Sequence, residues 1–203
     1  KPEPSTLSKS QLLDSIDILN LAEILNGNDE LLIRSALEKL AQLKSPEALN
    51  LIMQSRQHVS SEVRFYATSQ LAKVKKEFEE DLAAAMLSYH QDAENYDNRL
   101  SLAKVYLQYA ASALLSSELS ANMRIKAIYH LDILSSNGPL IVQAYELLLD
   151  LYLANSDFAA LEALATKLNN LENKNLNILS GLANYYFYTK KYGRLKQILN
   201  DLA

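Results

Sequence analysis

Thirty-two consecutive residues, Ser60–Gln91, contain neither Pro nor Gly. Apolar side chains recur through them at steps of three or four: Val63, Ala67, Leu71, Val74, Phe78, Leu82, Ala85 and Tyr89. That spacing draws a single stripe along a helix. Ser60 stands at the N-cap position, and Glu62 lies in the first turn, where the helix dipole favours an anion. One helix of roughly eight turns is predicted, far longer than the usual globular helix. Such length belongs to coiled coils, membrane spans or helical repeats. Lys73, Lys75, Lys76, Glu77, Glu79, Glu80 and Asp81 exclude a span. These charges instead make a solvated face with i,i+4 partners. The helix is expected to be a spine shared by two different repeat arrays, with Phe78, Leu82 and Tyr89 buried.

The rest of the composition supports an all-α fold. Only four Gly and four Pro occur in 203 residues, too few for turn-rich β architecture. The net charge of −4, with basic residues scattered, argues against a nucleic-acid partner. The absence of Cys excludes disulfides, thiolate metal sites and Cys nucleophiles. No apolar run approaches 18 residues, so a membrane would be reached only through a segment outside these residues. The start KPEPST lacks an initiator Met, and further chain is expected upstream.

Along the chain, 1–8 reads as a Pro- and Ser-rich linker. Lys9–Leu25 follows as an amphipathic helix with Leu12, Leu13, Ile16, Leu19 and Ala22 on one side. Gly27 is expected in the left-handed conformation after it, and Asn28 as the next cap. Asp29–Leu43 is a helix burying Leu32, Ile33, Ala36, Leu37, Leu40 and Leu43. Ser45 and Pro46 restart the chain as N-cap and first helical residue of Pro46–Arg56, which contributes Leu49, Ile52 and Met53. Beyond the spine, helices are expected at Arg99–Leu115 and Ser120–Leu134, with a turn at Ser116–Glu118. Ser136-Asn137-Gly138-Pro139 is a strong break. Two hairpins follow, Leu140–Leu153 with Phe158–Leu168 and Leu176–Tyr188 with Tyr192–Leu202.

Two periods are visible. Segments beginning at Ile33 and Val63 align with Arg34 on Arg64, an offset of 30. The last two hairpins align at an offset of 34: Tyr145, Leu148, Leu149, Tyr152, Phe158, Leu161 and Ala165 fall on Leu179, Leu182, Ala183, Tyr186, Tyr192, Leu195 and Leu199. SLAKVY at Ser101–Tyr106 carries the same pattern at an offset of 46, so extra residues are expected around Ala111–Ser120. The aromatic after each turn, Phe158 and Tyr192, is expected to wedge between neighbouring helices.

The aliphatic–Arg start of the first pair resembles a short HEAT-type repeat, in which such an Arg is structural. Arg99–Ala203 resembles tetratricopeptide repeats, although Leu149 and Leu161 replace small residues and Asn173 replaces the closing Pro. The expected organisation is an α-solenoid of antiparallel hairpins: HEAT-like over 9–75, the long helix over 60–91, and tetratricopeptide-like over 95–203. This order resembles the helical-repeat subunit of the bacterial Pel exopolysaccharide synthesis and export machinery. That resemblance implies a non-catalytic scaffold at the cytoplasmic face of the inner membrane. It would be anchored by an upstream segment and bound to other subunits, such as the polysaccharide synthase and its membrane partners.

Little in the residues suggests chemistry. His58, His90 and His130 lack metal-ligand spacing, and phosphate-binding or hydrolase motifs are absent. No cofactor or metal is expected. In tetratricopeptide repeats the first helix of each hairpin lines the inner groove. The 34-residue register places Gln143, Glu146, Asp150 and Leu153 there, and then Asn177, Ser180, Asn184, Phe187 and Tyr188. Glu146, Asp150, Asn177, Asn184, Phe187 and Tyr188 are the candidate partner groove, with Tyr186 and Tyr192 assigned to the core. Burial of Phe187 and Tyr188 under a further repeat is the alternative. The last helix offers Leu195, Ile198, Leu199 and Leu202 to more chain or to a second copy. A soluble peptide-binding adaptor or co-chaperone is the competing function, and an enzyme such as a chromophore lyase is a distant third.

Overall fold

The computed structural model describes residues 18–137, 142–169 and 176–201. Among them every regular element is a helix, so the all-α class is observed. In order these are α1 (18–25), α2 (Glu30–Leu43), α3 (Pro46–Ser55), α4 (Ser61–Gln91) and α5 (Tyr96–Ala111). They continue with α6 (Ser117–Asn137), α7 (Val142–Ala154), α8 (Phe158–Asn169), α9 (Leu176–Tyr188) and α10 (Tyr192–Asp201). The 1–8 linker, Leu12, Leu13, Ile16, the Gly138-Pro139 break, Asn173 and Leu202 lie outside the described residues. The chain divides into two compact units, Lys1–Ser88 with Lys104–Ile125, and Tyr89–Ala103 with Lys126–Ala203. Helices α4, α5 and α6 each contribute residues to both.

The first unit is built on the predicted stripe. Val63, Ala67, Leu71, Val74, Phe78 and Ala85 of α4 are buried, and Leu82 and Tyr89 are half-buried. Ile33, Leu37 and Leu40 of α2 and Leu49 and Ile52 of α3 share a core with the stripe. Phe78 stacks on Tyr109 at 5.3 Å between ring centroids, with the planes 6° apart. On the solvated side of α4, Lys73–Glu77, Lys75–Glu79 and Lys76–Glu80 pair one turn apart at 4.0, 3.9 and 3.4 Å.

Capping follows local chemistry. Ser45 Oγ accepts from the Ala48 N–H at 3.2 Å, with Pro46 in the first turn of α3. The Ser60 hydroxyl accepts from the Val63 N–H at 3.4 Å. Arg64 donates to the carbonyls of His58 and Val59 at 2.8 and 2.9 Å, a structural tie on the loop ahead of α4. Arg34 bonds Glu38 at 3.3 Å and the Tyr66 hydroxyl at 3.0 Å.

Several expectations here are corrected. Leu19 and Leu32 are 66% and 55% exposed, because both lie on the flank of an apolar stripe that no neighbour among the described residues covers. Gly27 is not left-handed; Lys44, at φ 51°, takes that conformation at the end of α2. Asp29 rather than Asn28 caps α2, because its carboxylate reaches the N–H groups of Leu31 and Leu32 at 3.0 and 3.1 Å. Helix α5 starts at Tyr96, its first turn held by Asn95 Oδ1 through the Asp97 and Asn98 N–H groups. It ends at Ala111, where the Ser112 hydroxyl bonds the Tyr109 carbonyl at 2.7 Å. Ser116 caps α6, so the expected turn at Ser116–Glu118 is the helix start.

In the second unit the 34-residue period extends to the backbone hydrogen bonds. The Asp157 N–H bonds the Tyr152 carbonyl at 2.9 Å, and the Lys191 N–H bonds the Tyr186 carbonyl at 2.9 Å. Ser156 bonds Leu153 at 3.1 Å, and Lys190 bonds Phe187 at 3.1 Å. Ser156 and Lys190 are both left-handed, at φ 54° and 57°. These are two Schellman ends whose left-handed position lacks its usual Gly. Leu148, Leu149, Leu161, Ala165 and Leu182 of the repeated pattern are buried. Phe158 and Tyr192 are instead 48% and 59% exposed. Each opens its helix, with Asp157 or Lys191 between it and the left-handed residue, and the expected wedge between helices is not made.

Two stability measurements follow from these contacts. Phe78→Ala, which empties the centre of the first unit, lowers urea-unfolding stability by about 3 kcal/mol. Ser156→Gly and Lys190→Gly relieve left-handed strain and each raise stability by about 0.5–1 kcal/mol, the remainder being lost to the greater freedom of Gly in the unfolded chain.

Candidate functional site

Helices α7 and α9 pack side by side. The contact is close: a Cβ at position 181 would come within 2.7 Å of Leu149 Cδ1. Gly181 therefore allows the approach, and Leu149 is buried by it. Both helices follow one register, so residues 34 apart share a helical angle. Glu146, Asp150 and Leu153 occupy on α7 the angles of Ser180, Asn184 and Phe187 on α9.

On this face Asp150, Ser180, Asn184, Phe187 and Tyr188 are exposed, and Glu146 and Leu153 are half-buried. The side chain of Asn177 lies outside the described residues. Phe187 and Tyr188 are 59% and 58% exposed, with ring centroids 6.0 Å apart in an edge-to-face arrangement. The Asp150 carboxyl is pushed above the ordinary carboxylate range, first by partial desolvation and then by the charge of Glu146 one turn away. The face thus combines two unburied rings with two carboxylates that repel each other.

The opposite face of α9 contains a residue that spacing did not identify. Tyr185 is fully buried, together with Tyr186, whereas Tyr192 is exposed. The assignment of Tyr192 to the core is therefore corrected. Tyr185 can be buried because its hydroxyl is satisfied. It donates to Glu162 of α8 and accepts from Lys191 at 3.1 Å. Lys191 also binds Glu162 and lies over the Tyr185 ring, 5.4 Å from its centroid. Hydrogen bonds from Lys191 and then Tyr185 hold the Glu162 carboxyl below its ordinary value. The pairing of Glu162 with Lys191, one on each neighbouring hairpin, is visible only once those hairpins are stacked.

Other groups are structural in geometry. His58 Nδ1 accepts from the Ser60 N–H at 3.1 Å. His130 is buried against Tyr89, edge-to-face at 5.0 Å, and is held below the ordinary imidazole range by burial and then by Arg99. Tyr152 donates to Asp132 at 3.1 Å and is pushed up to about 12 by burial and then by that carboxylate. A cleft of about 170 Å³ beside α2 and α4 is lined by polar residues including Glu38, Gln42, Gln70 and Lys73. Among the described residues no group of three or more His, Asp or Glu could hold a metal ion. No helix among them is long and apolar enough to cross a membrane.

No protein-family model, curated protein or solved structure matches the chain.

The Glu162 contact has a pH signature. A carboxyl whose folded value is depressed contributes stability that is present above its unfolded value and is lost as pH falls through the folded one. The difference in urea midpoint between wild type and Glu162→Gln is therefore expected to stay constant at neutral pH. It should shrink on acidification below the ordinary value of 4.5. A difference that persists unchanged at acid pH would show that the ionised carboxylate contributes nothing.

Proposed function

We propose that this chain is a non-catalytic protein–protein interaction scaffold, with the outward face of α7 and α9 as its partner groove. The observation that carries the reading is the exposure of Phe187 and Tyr188 on a face aligned across two stacked hairpins. Large aromatics that a fold leaves uncovered concentrate binding energy when a partner buries them. The 30-residue and 34-residue periods support naming the arrays HEAT-like and tetratricopeptide-like. Their order around one long helix supports a finer assignment, a subunit of a Pel-type exopolysaccharide synthesis and secretion complex. In that setting the partners are the synthase and its membrane subunits. The chain works at the cytoplasmic face of the bacterial inner membrane, anchored by a segment outside these residues. On α10 the expected uncovered face is reduced, because Ile198 is buried and Leu195 half-buried; Leu199, 51% exposed, supports a second contact, with another copy or with further chain. The competing adaptor or co-chaperone reading is disfavoured by Glu146 and Asp150, which repel the acidic peptide termini that co-chaperone repeats clamp.

The test is capture of synthase-complex subunits by the chain in its native membrane complex. Replacing Phe187 and Tyr188 together by Ala is expected to weaken capture by about 2 kcal/mol, roughly thirtyfold. Normal assembly of the complex after deletion of Arg99–Ala203 would remove the scaffold reading.

A further inference from the structure

At the corner where α4 ends and α5 begins, a tyrosine ring and a guanidinium meet a buried imidazole. His130 of α6 is 7% exposed and Arg99 of α5 is 9% exposed. Both pack on one ring. The imidazole stands edge-to-face against Tyr89 of α4 at 5.0 Å, and the Arg99 guanidinium lies 5.1 Å from the centroid of that same tyrosine. Arg99 is also tied to the connecting loop, donating to the Ala93 carbonyl at 2.9 Å. On α6 the neighbouring Tyr129 ring meets His130 edge-to-face at 5.3 Å. His90 follows Tyr89 on α4 with its ring 5.7 Å away, and Lys126 stands one turn before His130 on α6; both are exposed. None of these five groups, Tyr89, His90, Arg99, Lys126 and Tyr129, carries a negative charge at acid pH. Burial, and then the charge of Arg99, hold the imidazole below its ordinary range, so it is neutral at neutral pH.

We propose that this cluster is an acid-sensitive latch: neutral His130 holds the α4–α5 corner against α6, and a proton on His130 sets two buried cations on one tyrosine ring and opens the corner. The inference is independent of the partner groove on α7 and α9. Arg99 cannot retreat from the new charge while it holds the Ala93 carbonyl. Relief comes from parting the corner from α6, which returns His130 to water. The corner suits local opening, because it consists of a helix end, a loop and a first turn in which 86–88, 90–92 and 94–97 are all exposed. A group whose folded value lies below its unfolded one contributes stability that is present above the unfolded value and is lost as pH falls through the folded one. The latch is therefore closed above the ordinary imidazole value of 6.5 and opens below it.

The test is amide hydrogen exchange of the whole chain between about pH 8 and about pH 5, each rate corrected for the intrinsic effect of pH. Protection of 86–99 is expected to be lost on acidification while that of α2 and α3 is kept. His130→Phe preserves the edge-to-face contacts and takes no proton, so protection of 86–99 should then persist at the acid end. Imidazole proton resonances supply a second measurement that needs no substitution at His130. The His130 signal should titrate below 6.5, and Arg99→Gln should move it up toward that value. Unchanged protection of 86–99 in the wild type overturns the inference, as does an equal loss in His130→Phe, or a loss spread evenly over the chain. If His130→Phe fails to fold, the resonances decide: titration at or above 6.5, or a titration that Arg99→Gln leaves in place, overturns the latch.

Discussion

Each hairpin of the second unit is fixed by tyrosine hydroxyls bonded to the helix that precedes it. Tyr145 donates to the Ser135 carbonyl at 2.9 Å, and Tyr152 to Asp132 at 3.1 Å. Tyr185 donates to Glu162, and Tyr186 accepts from Asn169. A buried hydroxyl without a partner costs about 1–3 kcal/mol, so these bonds fix the rotation of α7 and α9 about their own axes. Everything on the far side follows from that rotation. With Tyr185 and Tyr186 turned inward, successive residues advance by about 100° each. Phe187 and Tyr188 are thereby carried out to solvent. The two exposed rings are thus the geometric complement of the two buried ones.

The first unit is held differently. Its core is aliphatic and is centred on one face of α4, with the Phe78–Tyr109 stack as its aromatic contact. The charged face opposite contributes little by itself, since exposed ion pairs are each worth about 0–1 kcal/mol. Lys44 is the exception in position: from the left-handed end of α2 it reaches Glu77 at 2.9 Å and Asp81 at 3.8 Å on α4. The residue that ends one helix is thereby tied to the charged face of another.

Much of this is legible in the sequence. Pro-free and Gly-free length predicted α4, Ser45-Pro46 predicted the start of α3, and the 34-residue offset predicted the paired hairpins down to their turns. The failures share a physical cause. Periodicity gives the centre of an apolar stripe but not how far a neighbour covers its flank, so Leu19 and Leu32 were assigned inside and lie outside. Phe158 and Tyr192 occupy the right register but open their helices two residues after the left-handed Ser156 and Lys190, and both are exposed. Tyr185 was missed because its burial depends on a carboxylate and a lysine from two different hairpins. Of the candidate groove, the register placed the residues, and the exposure of Asp150, Asn184, Phe187 and Tyr188 required the structure. Asn28 and Gly27 lost their expected roles to Asp29 and Lys44, since several residues at a helix end can compete for one cap.

The backward reach of the tyrosines also gives the second unit a direction. Every one of those hydroxyls on α7 and α9 bonds a group that precedes it in the chain, whether 10, 20, 23 or 17 residues earlier. During synthesis the acceptor helix is therefore already made when its tyrosine emerges, and each hairpin can lock onto a finished surface. Loss of residues is correspondingly asymmetric. Trimming from the C-terminus leaves the earlier hydroxyls paired, whereas loss of an earlier helix strands the hydroxyls that follow it. The order of these partners thus matches the order of translation, with Lys191, which donates to the Tyr185 hydroxyl at 3.1 Å, arriving after its tyrosine.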